Sequence, residues 1–236
     1  MTDFSRAEDH ILNQILSAPL QQDPFDHCVV DKVFPIDLYK TIHRYWPPVE
    51  SMVQISETGT VAGYKDRFCI PLENFYFNKL DSVKGPFWEK LSEAISSSRV
   101  ISECMKKFAP IIRERVRGKP KPYSFQRRCL LISDKNNFEL GPHTDIESKV
   151  MSLLFYLPES DNDRHIGTKL YKAKDEDLYC KGNKHWAFDK FVLSKTIDFI
   201  PNRLLMFPRT SRSFHGVAAL NNMKDYRKLI VINISL

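Results

Sequence analysis

Val150-Met151-Ser152-Leu153-Leu154-Phe155-Tyr156-Leu157 is apolar throughout except at Ser152, and Pro158 closes it. Side chains alternate between the two faces of a strand, so a strand apolar at odd and even positions alike needs cover on both sides. Leu229-Ile230-Val231-Ile232 reads the same way. Strands of this kind belong to the inner sheet of a sandwich or distorted barrel. Working outward, strands are expected over Phe125–Ser133, Val150–Leu157, Thr168–Tyr171, Arg203–Phe207, Phe214–Leu220 and Arg227–Ile234.

The first half of the chain has another period. Phe4, Ala7, Ile11, Leu12 and Ile15 recur at helical spacing, and Pro19 follows. Pro35 opens a second helix carrying Leu38, Ile42 and Trp46, closed by Pro47-Pro48. Gly85-Pro86 starts a third, with Phe87, Leu91 and Ile95 on one stripe. Beyond Ser96-Ser97-Ser98, a fourth runs through Val100, Ile101, Cys104 and Phe108 and resumes after Pro110. Short strands are expected at His27–Phe34, Met52–Ile55 and Arg67–Ile70. Helices first and strands later make an α+β chain. The expected division is a helix-rich support over 1–122 with short strands, packed on a strand-rich core over 123–236 as one integrated domain. The polar stretch 172–196 reads as an insertion or lid, and with residues 50–85 it is expected to shape a pocket.

Composition narrows the function classes. With 236 residues, 42% hydrophobic and 27% charged, the chain can bury a substantial core. Glycine is scarce at 8, and no glycine-rich phosphate loop is present. The net charge of +6 is spread over separate runs, which is a solvated-surface pattern and does not point to nucleic acid. The 5 cysteines include no Cys-x-x-Cys pair, which argues against a zinc site or disulfide framework and for a reducing, cytoplasmic setting. Neither a signal core nor a membrane-length apolar run is seen, so no membrane partner is expected.

His143-Thr144-Asp145 carries the chemistry. On a strand, His143 and Asp145 would share one face. With a distant histidine, His215, they make a two-His, one-carboxylate set that holds iron on one face and leaves positions open. His215 lies in Phe214-His215-Gly216-Val217, after a strand and a turn. The other histidines sit on helices, at a strand start, or in polar stretches such as those around His165 and His185.

His143-Thr144-Asp145, Ser152 to Pro158, Gly167 to Tyr171, Asn202 to Phe207, Ser213 to Val217 and Tyr226 to Ile232 occur in the order of a known family. In this the chain resembles the 2-oxoglutarate and Fe(II)-dependent dioxygenases, in their prolyl-hydroxylase-like branch, over roughly residues 123–236. The resemblance implies a double-stranded β-helix (jelly-roll) core with N-terminal supporting helices. It implies Fe(II), 2-oxoglutarate as co-substrate and O2, with succinate and CO2 as co-products. It assigns His143, Asp145 and His215 to the metal. Arg227 then grips the distal carboxylate of 2-oxoglutarate, because a guanidinium matches a carboxylate two by two. Tyr156 would donate to the same carboxylate, and Arg128 would help line the site. A carboxylate at Asp145 favours hydroxylation over halogenation. Arg209-Thr210-Ser211 precedes the distal histidine and receives no role.

The expected activity is hydroxylation of an unactivated C–H bond in a small molecule such as an amino acid or metabolite. A peptidyl or protein residue, as in prolyl hydroxylation, is the second choice. Two readings of other classes stand beside these: a non-catalytic β-sandwich binding module, and a metal-dependent isomerase or dioxygenase that uses no 2-oxoglutarate.

Overall fold

Asp3 accepts a hydrogen bond from the backbone N–H of Arg6, 3.1 Å away, and so starts the first helix, α1 (Phe4–Ser17), which buries Ala7, Ile11, Leu12 and Ile15. Pro35 precedes α2 (Ile36–Tyr45). A short α3 (Asn74–Phe77) leads to α4 (Lys84–Ile95), α5 (Ser98–Lys107) and α6 (Ala109–Val116). Ser97 caps α5 through the N–H of Val100, so part of the serine run that interrupts the helical stripe begins a new helix. The structure, a computed structural model, describes residues 2–58, 64–77, 80–118, 123–182 and 184–236. The expected division at residue 122 lies outside the described residues.

The strands are β1 (Leu20–Gln21), β2 (His27–Asp31), β3 (Val53–Gln54), β4 (Arg67–Pro71), β5 (Gln126–Asp134), β6 (Leu140–His143), β7 (Lys149–Tyr156), β8 (Thr168–Ala173), β9 (Phe191–Ile197), β10 (Arg203–Pro208), β11 (His215–Val217) and β12 (Arg227–Ser235). Eight form one antiparallel sheet in the order β1-β2-β10-β7-β12-β5-β4-β3. The other four form a smaller sheet in the order β6-β11-β8-β9.

The doubly apolar strands behave as their sequence requires. In β12, Ile230, Ile232 and Ile234 face the helical layer, while Leu229 and Val231 face the smaller sheet. In β5, Cys129 and Leu131 face the helices, and Leu130 and Ile132 face inward. Trp46 joins the layers, stacking edge-on to Trp88 at 5.8 Å and donating to Ser133 Oγ at 3.1 Å.

Two elements differ from the sequence expectation. The stretch 172–196 is strand at both ends: Lys172 and Ala173 close β8, and Phe191–Ile197 forms β9, which pairs with β8. This β9 is an edge strand with Val192 and Leu193 exposed, so it lacks the apolar continuity that marks the inner strands. The histidine-bearing segment is shorter than a full strand: β6 ends at His143, and Asp145 lies just past it. All five cysteines are buried and free. Among the described residues no helix is long and apolar enough to cross a membrane.

Candidate metal centre

His143 and His215 face each other as directly paired residues of β6 and β11. Their rings lie 4.4 Å apart, centre to centre. One ligand atom from each of His143, Asp145 and His215 falls within 4.8 Å of the other two. Gly216 permits this approach, since a Cβ there would collide with the carbonyl oxygen of Leu140 on β6.

Hydrogen bonding sets the histidine tautomers. His143 Nδ1 lies 2.9 Å from the carbonyl of Gly141, and His215 Nδ1 lies 2.9 Å from the carbonyl of Ser213. A carbonyl only accepts, so each Nδ1 carries the proton and each Nε2 keeps its lone pair for a metal. Burial, with the neighbouring His215 adding to it, pulls the pKa of His143 down to about 3. Burial also lowers that of His215. Both rings are therefore neutral at neutral pH, the state that binds metal.

Asp145 is held from several sides. Burial acts to raise its pKa, but Lys149 and the two imidazoles outweigh it and keep the carboxyl below its ordinary range. Lys149 Nζ donates to Oδ1 at 2.6 Å and Ser152 Oγ to Oδ2 at 2.8 Å. Buried Arg209 donates to the backbone carbonyls of Asp145 and Cys180, and Thr144 Oγ1 also donates to that of Cys180. Arg209 thus fixes the backbone of a ligand. Gly182 has φ +94°, and a Cβ there would sit 2.9 Å from the Asp145 carbonyl oxygen. The 172–196 stretch thus packs Cys180 and Gly182 along the ligand segment. It also brings His185 within 4.8 Å of the His143 ring, centre to centre, where His185 meets the hydroxyl of Tyr64. His185 escapes sequence reading because nothing local ties a loop histidine to the site.

The three ligands open into a cavity of about 760 Å³ between the two sheets. Its middle is apolar, from Leu130, Ile132, Leu154, Leu229 and Val231. Arg227 lines it and is 1% exposed. Its Nε donates to the carbonyl of Ile166 at 3.0 Å and its Nη1 to Asp134 Oδ2 at 2.9 Å; Nη2 takes part in neither bond. Asp134 is fully buried and also receives two hydrogen bonds from Arg67, at 2.6 and 2.9 Å. Two guanidiniums on one carboxylate leave the cluster with one positive charge. Burial lowers the pKa of Arg227 and Asp134 opposes that pull.

Tyr156 does not line the cavity. Its hydroxyl donates to Thr168 Oγ1 at 2.6 Å and accepts from the N–H of Thr168 at 3.3 Å. Thr168 is the residue that faces the cavity, with its own hydroxyl proton left to donate inward. Arg128 lines the cavity at another place, with Nε 3.7 Å from Glu73. Residues 50–85 contribute Ile55, Tyr64, Arg67 and Glu73, in line with the pocket-shaping role read from the sequence.

No protein-family model matches the sequence, and no curated protein matches it either. Solved structures do. An oxidoreductase of the 2OG-Fe(II) oxygenase family from Burkholderia pseudomallei matches at TM-score 0.50 and 10% identity, covering 99% of this chain and 90% of that one. HygX from Streptomyces hygroscopicus, solved with nickel, 2-oxoglutarate and hygromycin B bound, matches at TM-score 0.50 and 12% identity, covering 89% and 82%. At such identities the likeness is one of fold, and the chain shares the double-stranded β-helix fold of 2OG-Fe(II) oxygenase structures.

Proposed function

We propose that this protein is an Fe(II)- and 2-oxoglutarate-dependent oxygenase that hydroxylates a C–H bond of a small molecule. The observation that carries the reading is the convergence of His143, Asp145 and His215 on one cavity that also holds Arg227. The donor set fits ferrous iron: two neutral imidazoles present Nε2, and one carboxylate stays ionised. A protein of the same fold, HygX, holds 2-oxoglutarate and nickel, which supports carrying the co-substrate to this chain.

Bound iron with 2-oxoglutarate and O2 supplies oxidative decarboxylation coupled to hydroxylation, giving succinate, CO2 and an alcohol. The chain's residues do the holding. Arg227 offers Nη2, and Thr168 its hydroxyl proton, to the distal carboxylate of the co-substrate, while Tyr156 fixes the Thr168 rotamer from behind. The apolar middle of the cavity suits the two methylenes and keeps water from them. Lys149, Ser152 and Arg209 hold Asp145 in place.

Adding Fe(II) and 2-oxoglutarate without oxygen should give the visible charge-transfer band of the chelated metal, and admitting oxygen should release succinate. A protein that binds neither, or binds iron but shows no band, would be a binding module or an oxygenase of another class.

A further inference from the structure

We infer that the substrate is a zwitterion of the α-amino acid type, its carboxylate held by Arg128 and its ammonium by Glu73. This rests on the oxygenase reading above. Ser152 on β7, Asn233 on β12 and Arg128 on β5 lie in one cross-strand row. Ser152 holds the ligand Asp145. Adjacent strands are ~4.8 Å apart, so the Arg128 backbone lies roughly 10 Å across the sheet from Ser152, within side-chain reach of a small molecule beside the metal. Arg227 stands six residues back along β12, roughly 20 Å away between backbones, a span that its own long side chain and the co-substrate would have to bridge together. The two arginines therefore serve different parts of the cavity.

The cations near the metal are not equivalent. Lys149 is committed to Asp145 at 2.6 Å. Arg127, on the other face of β5, donates to Ser98 in the helical layer. Arg127 also lines the cavity but is held by Ser96 and Ser98, whereas Arg128 lines it with a loose ionic partner: Glu73 lies 3.7 Å from Nε, beyond hydrogen-bond reach, with its side chain 56% exposed. Such a pair stabilises little, so a ligand displaces it easily. Glu73 also lines the cavity. A wall that gripped only an anion would gain nothing from an acid there, because like charge repels the ligand. A cation and an anion side by side match a molecule that carries an ammonium next to a carboxylate.

The test uses the whole protein loaded with Fe(II) and 2-oxoglutarate under anaerobic conditions. The twenty common L-amino acids are titrated while the charge-transfer band is followed. At least one should perturb it, and its N-acetyl and carboxamide forms should bind at least tenfold more weakly. Arg128→Met and Glu73→Gln should each weaken that amino acid tenfold or more. The double variant Glu73→Arg, Arg128→Glu keeps a surface ion pair and should still bind poorly; wild-type affinity there would show that the pair is merely structural and overturn the inference. So would amino acids that fail to bind, or an Arg128→Met that weakens 2-oxoglutarate instead, and both results would leave the oxygenase reading standing. Absence of the band in the unaltered protein would remove both.

Discussion

The two faces of the eight-stranded sheet are made by the same strands and do opposite work. The face toward the helices is closed: Leu131, Leu153, Ile230, Ile232 and Ile234 pack with α1, α4 and α5. The face toward the smaller sheet is apolar in its middle but hollow, and it ends in polar rows: Arg227, Asp134 and Arg67 on one, and Arg128 with the uncharged Asn233 on another farther along. Alternation along each strand thus assigns stability to one set of positions and chemistry to the next. A hollow costs contacts that a filled core would make, and the helix-facing side supplies the packing that supports it.

Substitutions on the two faces should separate these roles. His143→Ala removes a metal ligand and should have the largest effect. Because changes merely behind a ligand cost about 10–100-fold in affinity, loss of the ligand itself should exceed ~100-fold, and succinate formation should vanish. Iron titration with wild-type affinity would break the assignment. Arg227→Met comes next. It should abolish tight binding of 2-oxoglutarate, while Asp134 keeps its two bonds from Arg67 and loses only the one from Arg227, at a cost of roughly 1.5–3 kcal/mol. Denaturant midpoints and co-substrate titration read the two effects separately. On the opposite face, Ile230→Ala should cost about 2–5 kcal/mol by opening a cavity, with iron affinity in the folded protein retained. An equal loss of iron affinity would mean that the two faces are not independent.

The closed face was legible in the sequence because burial on both sides leaves a continuous apolar run, as in Leu153 to Leu157. The metal ligands were legible because their chemistry restricts residue type and spacing. What escaped depends on contacts remote in sequence. Asp134 reads as the polar end of a strand until β4 and β12 bring Arg67 and Arg227 to either side of it. Arg227 at the start of β12 is buried, and part of its charge is met by Asp134. The resemblance assigns Tyr156 to the distal carboxylate of the co-substrate, but its buried phenol already has a partner. Which partner it takes depends on where β8 passes, and Thr168 intercepts it. Arg209 carries no local mark of its grip on Asp145, and β9 hides because an edge strand can leave Val192 and Leu193 in water.

The smallest expected effect concerns pH. His27 on β2 is fully buried, with Nδ1 2.8 Å from the Phe25 carbonyl and Nε2 without a hydrogen-bond partner among the described residues. Burial lowers its pKa from the usual 6.5; the Phe25 carbonyl, Asp23 and Asp26 oppose that pull, and Lys195 adds to it. As pH falls below 6.5, the unfolded chain takes up a proton at this histidine that the folded one resists. The stabilisation from keeping it neutral is whole above pH 6.5 and is lost on acidification, at no more than about 1.4 kcal/mol per pH unit. His27→Gln should therefore show a shallower decline in urea midpoint between pH 7 and pH 5 than the unaltered protein. Parallel declines would mean that the buried ring takes its proton as readily as a free one, and that the closed surroundings of β2 admit water.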